Sequence, residues 1–326
     1  MSVTVRSFAK INLGLYIGAA RADGYHDLRT VYQTIALHDV IRVSVGRGRG
    51  IEIVCTNKDP RVPLDASNTC HRIAARVLDE LGAKGKVTVE IEKRLPVQGG
   101  LGAASSNAVA TMIALELALK KKLTPAARLR IAADVGSDLP LFLVGGTALG
   151  VGRGEEVYPL PDLPSLAMVV VTPEVGVSTP RAFADWDAQE RLTRLSASDR
   201  LFEVGCVLSS WLSGFTSGSP NTGAPAKGGS RGEKLLLDLV RTGIENDFEK
   251  VVFSQYPELR DMKAALERAG SKYASLSGSG STVYGLFRSP AEAAKAAGRL
   301  RKQGLRAVAT RTLTRSWYWA SLVVRR

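Results

Sequence analysis

The chain opens on an alternating pattern: in "SVTVRSFAKINLGLYIG" the residues Val3, Val5, Ala9, Ile11, Leu13, Leu15 and Ile17 fall on one side. A period of two predicts a β-strand with one buried face, and it puts Lys10 and Asn12 together on the other. Further strands are predicted at 31–45, 50–55 and 87–93. Between the last two, Asn68 opens a helical stretch, "TCHRIAARVLDEL", that stops at Gly82. Over 103–119, Val109, Met112, Ile113, Leu115, Leu117 and Leu119 leave little polar circumference, which predicts a buried helix. "TPAARLRIAADVG" (124–136) carries Thr124 as N-cap, Pro125 at the first helical position and Gly136 as a stop. From about 161 the texture changes, with prolines at 159, 161, 164 and 173, so a second unit is expected to begin there. The stretch 213–234, rich in Gly, Ser, Pro and Lys, has no periodicity and is expected to be a surface loop. No internal repeat is found.

A length of 326 residues with 45% hydrophobic and 23% charged content fits a globular protein of two domains. The longest apolar runs, such as "LAMVVV", are far shorter than the ~18–20 residues of a spanning helix. An N-terminal signal peptide is rejected because Asn12 and two glycines interrupt its apolar region, so a cytoplasmic chain is expected. Cys55, Cys70 and Cys206 are widely spaced with no CxxC pair, which points to reduced thiols rather than a disulfide framework or zinc site. The net charge of +13 favours anionic partners without choosing among nucleic acid, acidic membrane and phosphorylated metabolites.

Chemistry concentrates in "PVQGGLGAASSNA" (96–108), where three glycines run straight into the buried helix. Such a turn lets backbone N–H groups converge and adds the positive end of a helix dipole, an arrangement suited to phosphate. Tight packing without a ligand fits this turn equally well. Ser105 and Ser106 fit hydroxyl contacts to a phosphate or its metal, and they fit plain N-caps. No Lys-Ser/Thr follows the glycines, so this is not a Walker A loop, and the dinucleotide spacing is absent.

Pro-x-x-x-Gly-Leu-Gly followed by small residues and Ser-Ser resembles the phosphate loop of the GHMP superfamily: galactokinase, homoserine kinase, mevalonate kinase and phosphomevalonate kinase. Within it, "AKINLGLYIGAARADGYHDLRTVYQTI", "GSDLPLFLVGGTALGVGRGE", "GIENDFE" and "LSGSGSTVYGLF" are similar to the 4-diphosphocytidyl-2-C-methyl-D-erythritol kinase family. These segments run in order from residue 9 to 287, and the most specific is Ala-Lys-Ile-Asn-Leu with Asp-Gly-Tyr-His downstream. The resemblance implies an α+β fold of two domains. The first, 1–160, would be an ATP-binding domain like ribosomal protein S5 domain 2; the second, 161–326, would be ferredoxin-like, with the site in the cleft between.

It also implies roles. Lys10 and Asp138 match the catalytic pair. Pro96, Val97, Gln98, Gly99, Gly100, Leu101, Gly102, Ala103, Ala104, Ser105 and Ser106 match the ATP phosphate loop, with Asn68 and Lys93 near the nucleotide. Asn12, Tyr25, His26, Thr179 and Phe183 match positions that hold the cytidine diphosphate substrate. The bland readings stand beside these: a solvated strand lysine for Lys10, an N-cap for Asp138 or Asn68, core or capping roles for Tyr25, Phe183 and Thr179, and a hairpin turn for "SGSGST" (277–282). ATP and Mg²⁺ are the implied cofactors, although no carboxylate pair announces the metal ligands. The chain departs from the family at Ala103-Ala104, where more glycine is usual and a positive φ would be strained, at "SDLP" in place of Ala-Asp-Val-Pro, and in the 213–234 insertion.

The reaction implied is transfer of the γ-phosphoryl of ATP to the 2-hydroxyl of 4-diphosphocytidyl-2-C-methyl-D-erythritol, with a small molecule and ATP as partners and neither nucleic acid nor membrane. Two alternatives remain at this point: another GHMP small-molecule kinase of homoserine or mevalonate type, and a basic nucleic-acid-binding protein of S5-like fold.

Overall fold

The structure is a computed structural model that describes residues 2–48, 50–190 and 244–324. The 213–234 stretch and Cys206 lie outside the described residues. Among those described, two sheets organise the chain. The first contains β1 (Ser2–Ala20), β2 (His26–Gly46), β3 (Ile51–Asn57), β4 (Gly85–Glu92), β5 (Thr147–Val151) and β6 (Glu156–Pro159), in the order β3-β4-β2-β5-β6 with β1 also on β2. Only β3 and β4 pair in parallel, joined through α1 (Thr69–Glu80). Against this sheet pack α1 and α2 (Ala103–Leu119), followed in the chain by α3 (Pro125–Val135) and α4 (Leu139–Val144).

The second sheet is antiparallel, built from β7 (Ala167–Val171), β8 (Tyr273–Leu276), β9 (Val283–Phe287) and β10 (Ala307–Arg311) in the order β10-β7-β9-β8. With α5 (Thr179–Glu190) after β7 and α8 (Pro290–Lys302) after β9, this is the split βαβ arrangement of the ferredoxin-like fold. Helices α6 (Phe248–Gln255) and α7 (Pro257–Arg268) precede β8, and α9 (Arg315–Leu322) follows β10.

The elements predicted from periodicity and caps are present. Asn68 caps α1 by accepting from the Cys70 N–H, and Thr124 caps α3 by accepting from the Ala127 N–H. Helix α2 is buried along most of its length, as its apolar circumference predicts. The capping alternative for Ser105 and Ser106 fails, because Gly102 is the N-cap residue and both serines lie in the first turn. Ala103 and Ala104 are already helical, so neither needs the positive φ that alanine resists.

One expectation needs correction. β1 does not bury a single alternating face: the register shifts between Phe8 and Lys10, and Val3, Val5 and Phe8 join one core cluster while Ala9, Ile11 and Leu13 join another. A one-residue slip exchanges the faces of a strand. Beyond it, Leu15 and Ile17 enter the core beneath the second sheet. The Lys10 and Asn12 face is buried as well, so Lys10 is no solvated strand lysine.

Candidate active site

The glycine-rich loop between β4 and α2 is held from both sides. Beneath it, the buried Asp39 carboxylate on β2 accepts from the backbone N–H groups of Arg94 and Leu95, from Asn107 Nδ2 and from Lys93 Nζ. Asp39 therefore ties the end of β4 to α2 and fixes where the loop starts and stops. On the other side, the 277–282 turn docks on it: Ser277 Oγ donates to the Gly100 carbonyl at 2.9 Å, and the Thr282 N–H donates to the Gly99 carbonyl at 3.2 Å. Gly100 and Gly102 have φ of 72° and 66°. A Cβ on Gly100 would stand 2.0 Å from the Ser277 carbonyl oxygen, so glycine is required by backbone angle and by close approach together. The "SGSGST" segment is thus a turn between β8 and β9, and also a latch on the loop.

Two cavities of about 350 Å³ each open beside this loop. Asn68, Lys93 and every loop residue from Pro96 to Ser105 line the first. Ser106 lines neither; it is buried and accepts a hydrogen bond from the Ser7 hydroxyl at 2.7 Å. Asn68 is engaged within the protein, since its Oδ1 caps α1 and its Nδ2 donates to the Pro63 carbonyl at 2.6 Å. The second cavity brings together Lys10, Asn12, Tyr25, His26, Asp138, Thr179 and Phe183, which come from distant parts of the chain. Gly100, Gly102 and Ser105 line both cavities, so they form the junction.

At that junction Lys10 Nζ donates to Asn12 Oδ1 at 2.8 Å and lies 3.4 Å from Asp138 Oδ2. The Lys10 side chain is 5% exposed and that of Asp138 is 34% exposed, so the ammonium is desolvated while the carboxylate reaches into the cavity. The Asn12 Nδ2 donates to Thr30 Oγ1 at 2.7 Å, which orients the amide with its oxygen toward lysine. The backbone N–H of Lys10 donates to the Leu101 carbonyl at 3.0 Å, coupling the strand to the loop. Asp138 sits at the N-cap position of α4 but makes no capping bond; Tyr32 donates to its Oδ1 at 2.9 Å instead. Burial, and then the Asp138 charge, hold the Tyr32 phenol well above its ordinary pKa, so it remains a donor.

The far end of the second cavity is aromatic. Phe183 stacks on His26 with centroids 4.9 Å apart and planes 9° apart, and its edge meets Phe248. His26 Nε2 lies 2.7 Å from Asp187 Oδ1, which fixes the ring and leaves Nδ1 as its other polar atom. Tyr25 is 52% exposed, and the Arg153 guanidinium lies 5.0 Å from its ring centre. Thr179 Oγ1 and Ser279 Oγ are 2.7 Å apart, so the C-terminal turn also reaches this wall.

Sequence reasoning did not single out Tyr32, Asp39, Arg153 or Ser279. Tyr32, Arg153 and Ser279 stand inside motifs already quoted, and that is the signal that marks them. Asp39 carries none, because its side-chain partners Lys93 and Asn107 are 54 and 68 positions away. No group of three or more His, Cys, Asp or Glu suited to a metal occurs among the described residues.

The family described as GHMP kinases N terminal domain matches residues 68–146, and that described as GHMP kinases C terminal matches residues 233–305. A 4-diphosphocytidyl-2-C-methyl-D-erythritol kinase from Solibacter usitatus is 38% identical over 87% of this chain and 81% of its own length. One from Moorella thermoacetica is 34% identical over 95% of this chain and 99% of its own. A crystal structure of 4-(cytidine 5'-diphospho)-2C-methyl-D-erythritol kinase superposes with a TM-score of 0.68 at 28% identity, covering 96% of this chain and 99% of that one. With the two sheets, the latched loop and these relatives in agreement, the chain belongs to the 4-diphosphocytidyl-2-C-methyl-D-erythritol kinase family of the GHMP kinases.

Proposed function

We propose that this protein transfers the γ-phosphoryl group of ATP to the 2-hydroxyl of 4-diphosphocytidyl-2-C-methyl-D-erythritol, with Lys10 and Asp138 as the catalytic pair. One observation carries the reading: the pair lines the second cavity with the Lys10 stem beside Gly102, and Gly100, Gly102 and Ser105 line both cavities. A donor in the first cavity and an alcohol in the second would bring phosphorus and oxygen together at that junction.

In this reading Asp138 orients the attacking hydroxyl and accepts its proton, which becomes acidic only as the P–O bond forms. Lys10 offsets the negative charge that builds on the transferring oxygens beside Asp138. The loop from Pro96 to Ser105 cradles the triphosphate through backbone N–H groups and the N-terminus of α2. Lys93 and Asn68 shape that cavity, and Ser106 supports it from below. Asn12 and Thr179 hold the erythritol diphosphate side, Tyr25 and Phe183 offer apolar faces to cytosine, and His26 reads its edge. GHMP kinases use ATP, generally with a divalent metal. Mg²⁺ would offset phosphate charge during transfer, and Ser105, which lines both cavities, is the hydroxyl that would help hold it.

We place the division of domains at 160/161, supported by a first sheet that ends at Pro159 and a second that begins at Ala167. Cytoplasmic action belongs to the same reading; no described helix is long and apolar enough to cross a membrane. The test is ADP release from ATP and Mg²⁺ with the diphosphocytidyl substrate, homoserine, mevalonate and galactose supplied separately. Turnover with the first alone is expected. Turnover with another alone moves the protein to that activity, and salt-sensitive RNA binding without turnover would sink the kinase reading.

A further inference from the structure

The glycines of "LGVGRGEE" touch neither Lys10 nor Asp138, yet two of them press on one side chain. A Cβ on Gly150 would stand 2.4 Å from Tyr32 Cε2, and one on Gly154 would stand 2.5 Å from the Tyr32 hydroxyl. Gly150 pairs with Thr30 across β5 and β2, and Gly154 follows in the turn before β6. Both therefore form a slot that the phenol ring fills. Tyr32 is 2% exposed; its hydroxyl donates to Asp138 Oδ1 at 2.9 Å, with the Gly154 carbonyl 3.5 Å away. The face of its ring is 5.5 Å from Lys10 Nζ.

We propose that Tyr32 is a positioning residue of the phosphoryl transfer: locked in its slot by Gly150 and Gly154, it fixes the rotamer of Asp138 and presents the carboxylate to the acceptor alcohol. The inference rests on the assignment of Asp138 as proton acceptor. Asp138 lacks the capping bond that its place at the start of α4 would ordinarily supply, and its two oxygens are held instead from β1 and β2. Lys10, whose Nζ donates to Asn12 Oδ1 and lies 3.4 Å from Asp138 Oδ2, supplies charge to the carboxylate and spends its short hydrogen bond elsewhere. The buried phenol on the central strand supplies the direction, because its ring fills a slot in which neither Gly150 nor Gly154 leaves room for a Cβ.

The charged and titratable groups around Asp138 are Lys10 from β1, Tyr32 and His26 from β2, Tyr25 before it, and Arg153 and Glu155 from the turn preceding β6. Tyr32→Phe keeps the ring in the slot and removes only the hydroxyl, so the fold should survive. The test compares wild type, Tyr32→Phe and Asp138→Asn for melting temperature, KM of both substrates and kcat. Tyr32→Phe should lose about 3- to 30-fold in kcat, a loss discounted for water replacing the bond at a part-exposed carboxylate. Both KM values and the melting temperature should hold, so the loss falls on kcat alone. A merely structural tyrosine would lower the melting temperature and leave kcat of the folded enzyme unchanged. Tyr32→Phe with wild-type kcat, beside a crippled Asp138→Asn, overturns the inference alone. An active Asp138→Asn overturns the reading of Asp138, and this inference with it.

Discussion

Asp138 and Lys10 differ in exposure, and the difference sets what each substitution should do. Positioned base catalysis is typically worth ~10²- to 10⁴-fold, so Asp138→Asn should lower kcat by about that factor while the directly measured substrate Kd changes little. Lys10→Ala should also damage kcat. Because the two side chains touch at 3.4 Å, the double variant should lose less than the product of the single losses. Near-normal turnover by a folded Asp138→Asn would leave the proton to water. The aromatic wall separates in another way. Tyr25 is half-exposed, so Tyr25→Ala should weaken the cytidine substrate by about 1–3 kcal/mol, the range for base–aromatic stacking, with the melting temperature unchanged. Phe183 is packed on His26 and Phe248, so Phe183→Ala should lower both substrate affinity and melting temperature, which calorimetry and titration can resolve. The two described thiols should be inert: burial pushes Cys55 up to about 11 and Cys70 up to about 12. Both therefore remain protonated at pH 8. Peptide mapping after alkylation at that pH should find them unlabelled until denaturant is added.

At the scale of elements, the glycine-rich loop is a joint between two turns as well as a cradle. Gly100→Ala would drive a Cβ into the Ser277 carbonyl, so it should reduce ATP affinity and melting temperature together. Gly102→Ala instead meets Phe142 and the Lys10 stem at 2.9–3.2 Å, and its loss should fall mainly on kcat. An ATP titration and a turnover assay separate the two; matching behaviour would show that the latch adds nothing. Strands, helices and caps were legible in the sequence because their signals are local: Asn68, Thr124 and Pro125 act on backbone within three residues. Lys10, Asn12, Tyr25, His26 and Asp138 of the second cavity were legible through family motifs that survive as short strings, while Thr179 and Phe183 stand outside those strings and rested on the family resemblance alone. What was not legible depends on distance. The bulge at Phe8 leaves the periodicity on either side looking continuous, and the bond from Ser277 to Gly100 spans 177 positions. Nor does the sequence distinguish Asp138 as a cap from Asp138 as a side chain held by Tyr32, since that choice is made 106 positions away.

At the scale of the whole molecule, the chain crosses between its two sheets more than once. After β10 it returns to the first sheet: the Leu313 N–H donates to the Thr34 carbonyl, Tyr318 donates to the Phe142 carbonyl at 2.7 Å, and Val323 bridges to Val5. Leu313, Tyr318 and Leu322 are members of the core cluster that includes Val3, Val5 and Phe8. Synthesis on a ribosome delivers these groups hundreds of residues apart. During synthesis the earliest strand should therefore lack one wall of its core until the second sheet has emerged. A chain cut after Arg311 should keep hydrogen-exchange protection in β7–β9 and lose it in β1 and β2; equal protection in both would show that the returning helix is dispensable. The strand that carries Lys10 thus owes one wall of its core to residues 312–324, which the ribosome supplies only after the second sheet, so folding of the first sheet should be completed from beyond the second.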